Sequence, residues 1–277
     1  MRPISDSLSP DALVTETGKR TLVLDFLSQR LRLPPITHFP GNHPVSLSRE
    51  SLESMSGADW LVSLKADGHR VLLVCIEVRA GVFVSCLVDR NLSVYRYPLT
   101  ASELHPAVFD AELTDGALWL FDDLLLYNGE ALYPRRVRSC LDFARNVVDG
   151  KVLVKEVRPA YNAADLYTSR AEDMPVDGVV FTHVRAMSNR DFSRRTESLR
   201  KWKPVHTVDL FVSSSRQLLW NLGDTMEPVG FSHRVKWGSL DTTDVNAEFE
   251  VECRDSGVRL QFVRLREHTN HKSTVLR

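Results

Sequence analysis

Lys65 stands in the run Leu64-Lys65-Ala66-Asp67-Gly68-His69-Arg70, directly after the alternating apolar stretch from Trp60 to Leu64. A lysine attacks only once it has lost its proton, and an acid, a glycine turn and an arginine at a strand end form a setting in which this can be arranged. With each charged type near 6% and glycine near 7% of residues, the four fixed positions of KxDGxR arise by chance in a chain this long about 4 times in 1,000. The same residues also suit an ordinary charged strand end, so their weight depends on what accompanies them.

Four further segments accompany them. Phe109-Asp110-Ala111-Glu112-Leu113 sets two carboxylates at the end of another strand. They are expected on opposite faces, so that one meets a cleft. Trp119-Leu120-Phe121-Asp122 supplies an aromatic on the neighbouring strand, and Val176-Asp177-Gly178-Val179-Val180-Phe181 opens an apolar strand with an acid and a glycine. Leu199-Arg200-Lys201-Trp202-Lys203-Pro204 carries two lysines two positions apart, hence on one face of an extended chain. Carboxylates that can hold a divalent metal, and cations that can meet phosphate, are what nucleotidyl transfer to a lysine requires.

The bulk composition narrows the partners. The 277 residues are 43% hydrophobic and 26% charged with a net charge of -1, as in ordinary globular proteins. An anionic ligand must therefore be met by local clustering. Arg185, Arg190, Arg194, Arg195, Arg200, Lys201 and Lys203 provide it, against Asp191 and Glu197. Cys75, Cys86, Cys140 and Cys253 show no CxxC spacing, which argues against a structural metal or a disulfide framework and for a reducing compartment. The N-terminus lacks the apolar region of a signal peptide, and the longest apolar run, Val71 to Ile76, is too short to span a bilayer, so no membrane association is expected.

The elements that must position these residues follow from periodicity. Residues 1–18 are rich in Ser, Thr, Asp and Pro and are expected to be poorly ordered. Val23, Phe26, Leu27 and Leu31 fit one face of a helix over 19–33, ended by Pro34-Pro35. A short helix is predicted from Ser48. Strands are predicted at 60–65, 69–78, 82–89, 92–97, 107–113 and 117–126. Val137, Leu141, Ala144 and Val148 predict a helix over 134–148, followed by a strand at 152–157, a helix near 163–170 and a strand at 178–183. Beyond Pro204 five short strands predict a small β-barrel of the OB type over 207–277.

Taken in order, these segments resemble the covalent nucleotidyltransferases, and among them the messenger-RNA capping guanylyltransferases. Phe39-Pro40-Gly41 with Pro44-Val45-Ser46-Leu47, KADGHR, Leu87-Val88-Asp89-Arg90-Asn91, the DAEL and LFD segments, DGVVFT and LRKWKP carry the resemblance, which runs from about Phe39 to Asp209. It implies an α+β protein: a nucleotidyltransferase domain over 19–206, built of antiparallel sheets flanked by helices in an ATP-grasp-like manner, then an OB-fold domain. It also implies that Lys65 takes GMP from GTP as a phosphoramidate and passes it to a 5′-diphosphate RNA end. In that scheme Arg70, Lys201, Lys203 and a divalent metal, Mg²⁺ or Mn²⁺, assist the lysine, and Glu112 and Asp177 hold the metal. Arg70 and Arg90 contact ribose and phosphate, Phe121 stacks on guanine, and Arg158, in the nearest match to the family's KPF-like element, reads the base.

The family's final motif, an RxDKxxPN-like segment, is only partly kept. Arg264, Arg266 and Asn270 remain as candidate lid and phosphate contacts, while the Asp-Lys pair is missing. The expected partners are GTP, 5′-diphosphate RNA, the RNA polymerase II C-terminal domain, and separate RNA triphosphatase and cap methyltransferase chains. The expected location is the nucleus for a cellular eukaryotic protein, or host cytoplasm or nucleus for a viral one. An ATP-dependent polynucleotide ligase and a non-catalytic nucleotide- or RNA-binding scaffold are the alternatives on the same residues.

Overall fold

The computed structural model describes residues 8, 10–31, 33–55, 59–99, 107–114, 117–127, 130–131, 152–170, 174–183, 195–221, 225–230, 233–254 and 257–266. The helix expected over 134–148 and the Asp115-Gly116 turn lie outside them. The chain forms two compact units that divide between Trp202 and Lys203.

The first unit holds two sheets. One is built from β1 (His43–Ser46), β2 (Trp60–Ala66), β10 (Val157–Pro159), β11 (Val176–His183) and β12 (Arg195–Trp202), in the order β1-β12-β11-β2-β10. The other runs β5-β4-β3-β6-β7-β8, from β3 (His69–Arg79), β4 (Val82–Val88), β5 (Val94–Tyr97), β6 (Ala107–Leu113), β7 (Leu118–Tyr127) and β8 (Glu130–Ala131). A short strand, β9 (Val152–Val154), joins it parallel to β7. The strand expected as one piece over 152–157 is thus broken at Lys155-Glu156, where the chain passes from one sheet to the other. The KADGHR segment makes a second such crossing, between β2 and β3.

The seven-stranded sheet is buried on both faces, as a continuous apolar run such as Val71 to Ile76 demands. Val71, Leu73 and Cys75 join one cluster with Phe109 and Ala111. Leu72, Val74 and Ile76 join the other, beneath α1 (Thr17–Arg30). Val23 and Leu27 of this helix are buried there with Leu31, and Phe26 packs alongside, as the helical spacing predicts. Residues 10–18, expected to be poorly ordered, are instead tied down: Val14 N–H donates to Val94 O, Leu13 bridges Tyr95, and Ala12 is buried. Burial of Ala12 and partial burial of Val14 in a polar stretch are enough to dock it. The short helix α2 (Arg49–Glu53) is capped by Ser48, whose hydroxyl accepts from Ser51 N–H.

The five-stranded sheet puts Trp60, Val62, Val179 and Phe181 on one face, against Leu166 of α3 (Ala163–Thr168). Its strand β1 was not expected, since four residues containing a proline carry little periodic signal. The first unit is therefore mostly sheet, and its described helices are few.

The second unit is a six-stranded sheet in the order β15-β14-β13-β17-β18-β16. Its strands are β13 (His206–Val212), β14 (Leu218–Asn221), β15 (Met226–Pro228), β16 (His233–Lys236), β17 (Val245–Arg254) and β18 (Gly257–Arg266). The single strand expected over 228–236 is two separate strands on different neighbours. Val208, Leu210, Val212, Trp220, Phe249 and Leu260 form its core.

Candidate active site

Lys65 is the penultimate residue of β2. Pairing of β2 with β11 is regular from Trp60 to Leu64, then shifts between Val176 and Gly178, so that Asp177 bulges out of the ladder beside Lys65. Lys65 Nζ donates to Asp177 Oδ1 at 2.6 Å, with both side chains about one-fifth exposed at 23% and 21%. Ser63 pairs with Val180, and Val180 with Lys201. Lys201 therefore lies on the Lys65 face of the sheet, opposite the α3 face, and Ser46 of β1 joins the same row.

Below this strand end, β3 and β6 bring in the acids. Arg70 pairs with Glu112 and Leu72 with Asp110 across the ladder. The expectation that Asp110 and Glu112 diverge to opposite faces is corrected here: residues two apart on a strand point the same way. Both are buried, at 2% and 9% exposure. Asp110 accepts both arms of Arg70, from Nε at 2.9 Å and from Nη2. Arg70 Nη1 also donates to Asn42 O, and its guanidinium lies 5.4 Å from the centre of the Phe39 ring. Gly41 permits this packing, since a Cβ there would stand 2.4 Å from Phe39 and 2.9 Å from Arg70 Nη2. The FPG segment is thus a clamp on Arg70.

Glu112 Oε1 accepts from Gly68 N–H at 3.1 Å. Gly68 is obligatory, because a Cβ would meet Leu113 O at 2.4 Å. Burial pushes the Glu112 carboxyl above the usual range, while Lys155, Lys65, Arg70 and Arg90 pull it back. Lys155 was not singled out in the sequence, yet it is 2% exposed at the second crossing between sheets. Burial pushes its ammonium down to about 7, against the attraction of Glu112 and Asp110. A lysine ending the apolar run Val152 to Val154 was its one signal, and lysines at strand ends are common.

Burial and then the charge of Arg70 hold the Arg90 guanidinium below its usual value, against the pull of Glu112 and Asp110. Phe121 lies on β7, but its side chain is outside the described residues. Arg158 pairs with Val62 and so faces α3, away from Lys65, where it forms an ion pair with Glu156 at 2.7 Å. The pairing therefore does not bring Arg158 to the face that carries Lys65. The proline after it fixes an edge strand of three residues, and the strand alternation turns the arginine outward. Lys203 belongs to the second unit.

Arg264 and Arg266 are engaged within the second unit. Asp209 and Glu248 face each other across β13 and β17, a like-charge pair that destabilises a sheet. Arg264 Nε meets Glu248 Oε2 at 2.6 Å, and Arg266 Nε meets Asp209 Oδ1 at 3.1 Å and Glu248 Oε2 at 3.9 Å.

Residues 13–125 match the family described as mRNA capping enzyme, catalytic domain. The fold is similar to that of mycobacterial DNA ligase D complexed with ATP and MES, at a TM-score of 0.53 and 18% identity, over 83% of this chain and 96% of that one. The ligase domain of LigD from M. tuberculosis also aligns, at a TM-score of 0.46 and 18% identity, over 83% of this chain and 95% of that one. The match to the capping-enzyme catalytic domain covers less than half of the chain, and the likeness to the ligase is one of fold.

Proposed function

We propose that the protein is an mRNA guanylyltransferase. Lys65 Nζ attacks the α-phosphorus of GTP, the N–P bond forms, and pyrophosphate leaves. The terminal oxygen of a 5′-diphosphate RNA then attacks the same phosphorus, the N–P bond breaks, and Lys65 is regenerated with GMP on the RNA end. Support comes above all from Lys65 itself, whose amine stands 2.6 Å from the carboxylate of Asp177, on the sheet face shared with Lys201.

Asp177 and Glu112 are the residues that would hold Mg²⁺ or Mn²⁺. Among the described residues no cluster of three His, Cys, Asp or Glu forms a metal cage. Mg²⁺ nonetheless typically takes one or two carboxylates together with phosphate oxygens, and these two acids flanking Lys65 suit that donor set. Bound there, the ion would supply Lewis-acid polarisation of the phosphate. Lys201 would offset charge on the triphosphate, with Arg90 contacting ribose and phosphate and Phe121 stacking on the base. Arg70 would act chiefly by bracing the turn, since its donors are already engaged.

The second unit is proposed to be an OB-type domain, and the RNA polymerase II C-terminal domain, a triphosphatase and a methyltransferase are proposed partners in a nuclear or viral setting. The test is transfer: protein incubated with α-labelled GTP, a divalent metal and 5′-diphosphate RNA yields labelled, capped RNA. Labelling from ATP alone would reassign the protein to the ligases.

A further inference from the structure

The loop between β4 and β5, Asp89 to Ser93, is held more tightly than closing a hairpin requires. The Asp89 carboxylate accepts from three donors: Oδ1 from the Asn91 and Ser93 amides at 2.9 and 2.8 Å, and Oδ2 from the Tyr95 hydroxyl at 3.2 Å. Asp89 N–H donates to Ser93 O and Leu92 N–H to Asp89 O, each at 3.0 Å. Leu92 lies in the left-handed region at φ 62°, which a residue with a Cβ adopts only at a cost. Its side chain is buried beneath α1, and its carbonyl accepts from Arg20 Nε of that helix at 3.1 Å. A strained residue persists only where its surroundings over-determine it, and such residues gather where shape is used.

What the loop carries is Arg90. Leu72 of β3 pairs with Val88, the last residue of β4, so the loop lies at the end of β3 that bears Arg70. Arg70 is engaged there by Asp110 and by the carbonyl of Asn42, whereas the Arg90 side chain makes no hydrogen bond or ion pair among the described residues. Of the charges around Arg90, that of Arg70 acts on it most strongly, and it repels. A guanidinium set against another moves away unless the backbone beneath it is fixed. We infer that Asp89 is a positioning residue of the candidate active site: its carboxylate fixes the backbone on either side of Arg90, so that this guanidinium is presented to the nucleotide at the Arg70 end of the sheet. Asp89 touches no reacting atom. It acts by accepting hydrogen bonds within the loop, and the inference rests on the proposed contact of Arg90 with ribose and phosphate.

The test is a cycle of Asp89→Ala, Asp89→Asn and Arg90→Ala in the full chain, read by covalent labelling over a range of α-labelled GTP concentrations. Asp89→Ala raises KM for GTP by about 10-fold or more and leaves the rate at saturation within about 3-fold, the pattern of a lost binding contact. Asp89→Asn keeps an acceptor for the two amides, and its KM stays within about 3-fold of the unaltered protein's. In the Arg90→Ala background, Asp89→Ala raises KM by no more than about 2-fold, because the group it positions is gone. A merely structural aspartate would lower the melting temperature and the amount of labelled protein without moving KM. Should Asp89→Ala not fold, Asp89→Ser, with one short acceptor in place of two oxygens, takes its place in the cycle. An unchanged KM in the Ala variant, an equal rise in Asp89→Asn, or an equal rise once Arg90 is absent overturns the inference while the labelling itself upholds the proposed reaction. If the unaltered protein takes no label from GTP, that reaction fails and the inference falls with it.

Discussion

The amine of Lys65 is held by Asp177 at 2.6 Å, at the one irregularity in the pairing of β2 with β11. In the resting protein the lysine is therefore parked on a carboxylate and must give up that contact to attack. Asp177→Asn keeps the shape but removes the charge that holds the Lys65 amine and would hold the divalent metal, and covalent labelling is expected to fall by about 10-fold or more. Single-turnover labelling at saturating nucleotide measures this, and an unchanged rate would exclude a role for the Asp177 carboxylate in the reaction.

Arg70→Lys is expected to destabilise the first unit despite keeping the charge. A lysine cannot meet both oxygens of Asp110 and the carbonyl of Asn42 while stacking on Phe39. Leaving part of a 2%-exposed carboxylate unsatisfied costs about 1–3 kcal/mol. Denaturant unfolding reads the loss, and a midpoint equal to that of the unaltered protein would contradict the clamp.

Arg266→Ala is expected to act on the second unit in the same way. Asp209 and Glu248 stand opposite each other on neighbouring strands, and removal of the arginine exposes their repulsion. A loss of about 1–3 kcal/mol follows, and Asp209→Asn in the same background should restore much of it. Absence of such rescue would show that the arginine serves something other than this pair.

The Glu248 carboxyl is held below its usual 4.5: burial opposes ionisation, but hydrogen bonds from Thr207 and Arg264 and the charges of both arginines prevail. A carboxyl whose folded value is depressed leaves the unfolded chain binding more protons in acid. Its stabilisation is present above about pH 4.5 and is lost as pH falls through the folded value. Glu248→Gln should flatten that acid limb in scanning calorimetry of the full chain, and a slope that persists unchanged would assign the acid sensitivity elsewhere.

Much of the scaffold was legible because its signals are local. The strands of the KADGHR region and the α1 face follow from alternation and from four-residue spacing, and Lys65 was visible because its neighbours are unusual. Contacts that depend on register were not legible. The shared face of Asp110 and Glu112 follows from strand parity and was misread, while the break at Lys155-Glu156, which turns an apparently continuous strand into a crossing, needs knowledge of two sheets. The outward placement of Arg158 and the carboxylate partners of Arg264 and Arg266 likewise come from pairing between distant segments. A basic residue in a motif position carries no sign of what already occupies it.

The central claim is that Lys65 is the nucleophile of a covalent nucleotidyltransferase that uses GTP. The most direct measurement is incubation of the protein with α-labelled GTP or ATP and Mg²⁺ or Mn²⁺, followed by denaturation and mass mapping of the labelled peptide. GMP should be found on Lys65, be labile to acid, be discharged by pyrophosphate and be absent from Lys65→Met. No adduct with either nucleotide, or an adduct that persists in Lys65→Met, would contradict the claim.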